Sequence, residues 1–154
     1  MPTPADRFKE QVHKAHEQGI LAYVNAVTST KALVDADAEE HSLAPGEHKF
    51  KPIGLTPEKF QQYEAEARLL IYGTPEKPGI DQQLLLAKDV DEVKAVIKEA
   101  SEHFRKAGFF TAWEFARAYV MSFNKSLKAS SHEYAEAMRD ENTIGHGIPR
   151  PRRS

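Results

Sequence analysis

At 154 residues, with 40% apolar and 29% charged side chains, the chain has the size and composition of one domain around one hydrophobic core. Its 21 basic and 23 acidic residues leave a formal charge of -2, which argues against nucleic acid as the principal partner. Cysteine is absent, so disulfides, iron–sulfur clusters, thiolate zinc sites and cysteine nucleophiles are excluded.

The N-terminal residues lack the apolar run of a secretory signal, and Asp6 and Glu10 do not suit an organellar presequence. The expected setting is therefore intracellular: the cytoplasm, or an organelle interior reached without a recognisable cleaved signal. Thr3-Pro4-Ala5-Asp6 reads as a helix start, with a hydroxyl cap, proline at the first helical position and an acid at the third. Phe8, Val12, Ala15, Gly19, Ala22, Ala26 and Leu33 then recur mostly every three or four residues, one stripe of a helix reaching about Glu40. Such a helix would be roughly 55 Å long, against a domain diameter of roughly 40 Å. It must break or protrude. A break at Thr28-Ser29-Thr30, where hydroxyls compete for backbone hydrogen bonds, is the expectation, with Gly19 as second candidate.

Residues 41–55, with Pro45, Gly46, Pro52 and Gly54, read as a loop pinned by Phe50 and Ile53. Thr56-Pro57 restarts a helix, stapled by Leu55 and Phe60, whose stripe is Phe60, Tyr63, Ala67 and Leu70 and whose end is Gly73. Thr74-Pro75-Glu76-Lys77 repeats that start, but Pro78-Gly79 convert it to a turn. Asp81 is expected to cap a short helix through Leu86. Asp89 opens another, with Val90, Val93, Ile97, Ala100, Phe104 and Ala107 on one face and Gly108 closing it. Thr111 and Glu114 form an expected capping box, with Phe110 and Phe115 as its staple. The last helix runs from Ala112 towards Arg139, burying Ala116, Val120, Phe123 and Leu127, with an interruption foreseen near Ser130-Ser131.

No window alternates apolar and polar residues as a strand would. The fold expected is all-α: a small bundle of about four to six helices, with a long N-terminal helix and an extended C-terminal tail. Residues 1–142 form the single helical domain, and 143–154 form a basic Pro/Arg arm.

Few residues carry a chemical signature. Glu10, His13, His16 and Glu17 can project together from the first helix, and Glu10-x-x-His13 is half of a di-metal bundle motif. No other histidine has an acid three residues before it, so a solvated polar face is the simpler reading, with single-metal binding as the alternative. Glu99 and His103, one turn apart near a helix C-terminus, read as helix-stabilising. There is no G-x-S-x-G and no glycine-rich phosphate loop. No cofactor is expected. Phe104, Phe109, Phe110, Trp113, Phe115, Tyr119 and Phe123 crowd a short stretch leading into the last helix and several of its faces, more than one small core readily buries. Phe109, Phe110 and Trp113 are therefore partner-binding candidates, as are Arg150, Arg152 and Arg153 on the tail. The segment from Phe109 to Phe123 contains Glu114 and Arg117 and is too short to span a bilayer, which leaves peripheral membrane contact open.

The leading expectation is a non-enzymatic helical interaction protein, an accessory or assembly subunit of a larger complex. The alternative is a small enzyme or effector with a His/carboxylate site on the N-terminal helix. The third is nucleic-acid contact through the arginine tail. The identity of a protein partner and the oligomeric state are not legible.

Overall fold

Short polar caps set the helix starts. The computed structural model describes residues 3–41, 54–108 and 111–130, and among these it forms five helices: α1 Pro4–Glu40, α2 Pro57–Tyr72, α3 Ile80–Leu85, α4 Val90–Ala107 and α5 Ala112–Ser130. At α1 the Thr3 hydroxyl accepts from the Asp6 N–H at 3.1 Å, and the Asp6 carboxylate accepts from the Thr3 N–H at 3.2 Å. Thr56 caps α2 by accepting from the Lys59 N–H, and Asp89 caps α4 by accepting from the Glu92 N–H. Gly73 and Gly108 terminate α2 and α4 at φ 78°, a backbone conformation that side-chain-bearing residues rarely adopt. The all-α expectation is met; among the described residues the sole β-feature is an isolated bridge between Gly73 and Pro78.

Four sequence expectations need correction. First, α1 runs unbroken through Thr28-Ser29-Thr30 and through Gly19. Hydroxyls do not end a helix whose inward face is buried both before and after them, as Tyr23 and Val34 are here. Second, the stripe of α1 shifts phase. Phe8, Val12, Ala15 and Gly19 are buried as read, but Tyr23 and Val34 continue the face, while Leu33 is 60% exposed. The small residues between them fit either phase, and packing of Tyr23 edge-on to Tyr72 selects one. Third, Asp81 is not the cap of α3: Gly79 occupies that position without a side-chain bond, and Asp81 lies in the first turn. Fourth, the Thr111 hydroxyl is buried and makes no hydrogen bond among the described residues; only its carbonyl accepts, from the Glu114 N–H at 3.0 Å.

α5 is the central element, touching α1, α2 and α4. It buries Ala112, Phe115, Ala116, Tyr119, Val120, Phe123 and Leu127. α1 lies antiparallel along it: the Gln11 amide donates to the Ser130 carbonyl at 2.8 Å, and the Ser122 hydroxyl donates to the Gln18 carbonyl at 3.1 Å. α4 packs on α5 and α3 but does not reach α1. α2 buries Ile71 as well as Phe60 and Ala67, with Tyr63 and Leu70 half-buried. The foreseen loop pins Phe50 and Ile53, the helix beyond Ser130 and the 143–154 tail lie outside the described residues.

Candidate functional site

Two places gather polar side chains around apolar ones. The first is where α1, packed along α5, also meets α3. His16 Nδ1 lies 2.8 Å from the Tyr119 hydroxyl, with the rings edge-on at 5.7 Å. Tyr119 is fully buried, and burial raises its phenol far above the usual range, so it stays protonated. Burial lowers the pKa of His16; His13 adds to the lowering, while Asp81 and Glu17 oppose it. A neutral imidazole can accept from the phenol, which gives the only buried phenolic proton of α5 an acceptor. Asp81, raised by its own burial, is close enough to act electrostatically on His16, Tyr72 and Tyr119. Tyr23, edge-on to Tyr72, is pushed up to about 12, chiefly by burial and then by Glu64. Because the Tyr119 hydroxyl is out of reach of solvent, this arrangement ties helices together.

The second place is a cleft of about 300 Å³ walled by α2, the turn that follows it, α3, α4 and α5. Leu70, Ile80, Val96 and Ala100 supply its apolar floor. Its side wall is the indole of Trp113, with the His103 ring stacked on it at 4.5 Å and an interplanar angle of 3°. Phe104 braces the same indole edge-on at 5.7 Å. Thr74, Lys77, Gln83 and Glu99 stand around the rim. The turn that carries Lys77 is tightly seated. The Thr74 N–H donates to the Lys77 carbonyl at 2.8 Å, and the Lys77 N–H donates back to Thr74. A Cβ on Gly79 would collide with the Ile71 carbonyl and the Gly73 nitrogen, so only glycine lets the turn close there.

Of the residues singled out from sequence, the N-terminal quartet separates. His16 turns inward; Glu10, 66% exposed at its side chain, approaches Lys14 at 3.8 Å, and His13 and Glu17 are exposed. Among the described residues no three histidine, aspartate or glutamate side chains converge as metal ligands. Trp113 is half-buried and lines the cleft; Phe109, Phe110, Arg150, Arg152 and Arg153 lie outside the described residues. Of the aromatic crowd, Phe115, Tyr119 and Phe123 are core, and Phe104 and Trp113 pack against it. The Glu99–His103 pair, read as a helix stabiliser, stands on the cleft. Sequence reasoning missed Tyr119 and Asp81 as partners of His16, because nothing local links residues 103 positions apart such as His16 and Tyr119. No helix of the described residues is long and apolar enough to cross a membrane.

Among the described residues, fold and sites together define a small all-α bundle with a polar tie in its interior and a ligand-sized cleft. Comparison of the chain with known protein families, with curated proteins and with solved structures finds no match.

Proposed function

We propose that the protein is a non-enzymatic helical interaction subunit that presents the outer part of α1 to a protein partner. The observation that carries this reading is the length of α1, 37 residues, against 19 described residues in α5, its main packing partner. Continued along both helices, their antiparallel register sets Ala112 opposite roughly Thr28, so about the last ten residues of α1 run past the end of α5. One face there is covered, since Val34 is buried, while Leu33 on another face is 60% exposed. Leu21 and Val24 are exposed on the same helix, at 55% and 48%. Of these three, Leu33 lies on the stretch beyond α5, and an exposed apolar side chain there suits contact with a protein partner.

The test is the native assembly. The wild-type chain should elute with a partner at a mass well above 17.3 kDa, and Leu33→Glu should release it as a folded monomer. A lone monomer in native extracts, with and without the substitution, would remove the reading. A second reading, a small enzyme or effector using α1, is favoured by the grouping of His16 with Tyr119 and Asp81. Against it stands geometry: the cleft lies elsewhere, and the tyrosine hydroxyl is sealed from any substrate.

A further inference from the structure

We infer that the cleft beside Trp113 binds a small zwitterion with an apolar body, of the chemical class of an aromatic or branched α-amino acid. Its volume of about 300 Å³ falls at the lower end of small-ligand sites, and its apolar floor with a few polar groups at the rim is the usual composition of one. The walls are set before any ligand arrives. The glycine-closed turn holds one side, and the Trp113–His103 stack with Phe104 behind it holds the other.

Charge at the rim selects the class. Lys77 comes from the turn and Glu99 from α4, and neither charged group pairs with the other or with any other described residue. Two opposite charges that line one apolar cleft without meeting are matched by a molecule carrying both signs. Its carboxylate faces Lys77, its ammonium faces Glu99, and its side chain enters between Leu70, Ile80, Val96 and Ala100. An uncharged apolar ligand would leave both rim groups unused, and a ligand of one sign would leave one of them beside a like or missing partner. Gln83 and Thr74 add hydrogen-bonding capacity at the same edge.

Trp113 is the only tryptophan of the chain and lines the cleft, so its emission reports occupancy directly. The full-length protein is titrated with L-phenylalanine, phenethylamine and 3-phenylpropanoate, excited where only indole absorbs. L-phenylalanine should shift the Trp113 emission saturably, and each single-charge analogue should bind at least 10-fold more weakly. Lys77→Gln should weaken L-phenylalanine about 10-fold while leaving phenethylamine unchanged; Glu99→Gln should do the converse, sparing 3-phenylpropanoate. Both substitutions are at exposed positions, and thermal melts would verify that the fold is kept. The inference is overturned if L-phenylalanine and L-leucine leave both Trp113 emission and the melting temperature unchanged. It is equally overturned if binding is indifferent to the two substitutions. The outcome is independent of whether α1 engages a protein partner.

Discussion

The two flanks of α5 are packed in opposite ways. Towards α1 a small residue lets the helices close up, with Gly19 buried directly against Tyr119. A Cβ on Gly19 would stand 2.7 Å from the Tyr119 ring and 2.9 Å from its carbonyl oxygen. At that distance side chains reach the opposite backbone: the Gln11 amide donates to the Ser130 carbonyl and the Ser122 hydroxyl to the Gln18 carbonyl. Towards α4 the residues at the helix ends are large and flat. Trp113, His103 and Phe104 stack there and hold the elements apart, and a cleft remains. Side-chain size at a few contact positions thus decides whether two helices seal or leave room for a ligand.

The sharpest way to break this contrast is to add the same bulk on each flank. Gly19→Leu drives four carbons into Tyr119 and should destabilise by about 3 kcal/mol in urea unfolding, in spite of the better helix propensity of leucine. Ala100→Leu places similar bulk where the cleft has space, and its stability should stay within about 1 kcal/mol of wild type. Equal losses at the two positions would mean that the cleft is closed in solution.

Next in size is the polar tie across the seam. Tyr119→Phe keeps the packing but leaves the His16 ring nitrogen without its partner, for an expected loss of about 1–2 kcal/mol by the same measurement. The tie also titrates. His16 in the folded protein lies below its ordinary value of 6.5, chiefly through burial, so the unfolded chain takes up the proton first. Its contribution is whole above pH 6.5 and declines as pH falls through that value towards the folded pKa. Asp81 runs the other way: raised by burial above 3.8, it contributes most below that pH and loses its contribution as pH rises through its folded pKa. Melting temperatures followed from pH 7.5 to 5 should fall in the wild type (range set by the ordinary histidine value, about 6.5). They should fall less in His16→Gln; identical slopes would mean that His16 titrates as it does in the unfolded chain.

The smallest effects concern two threonines with the same sequence signature. Thr3→Val removes a formed capping box and should cost about 1 kcal/mol. Thr111→Val removes a buried hydroxyl that bonds to nothing among the described residues, and should be neutral or stabilising by about 0.5 kcal/mol. A loss at Thr111 matching that at Thr3 would show the hydroxyl to be bonded after all.

Those threonines also mark how far the chain could be read. Thr3, Thr56 and Asp89 were legible as caps because capping needs only a short polar side chain and an N–H three residues on. Gly73 and Gly108 were legible as ends because positive φ is a property of a single residue. Likewise, the stripes read on α4 and α5 followed from spacing, since Val93, Ile97, Val120 and Phe123 recur every three or four residues and are buried. What misled was ambiguity of size: alanines and threonines along α1 fit a break, or a stripe in another phase, as well as the continuous helix that formed.

Sequence alone, then, determined the helices, their starts and most of their inward faces, because each depends on groups within about four residues of one another. Tertiary structure alone decided that Gly19 meets Tyr119, that His16 and Asp81 share one corner, and that five elements leave a cleft beside Trp113. Those facts depend on how rods of unequal side chains settle against each other. Contacts of that kind join residues far apart in the chain, where no local pattern records them.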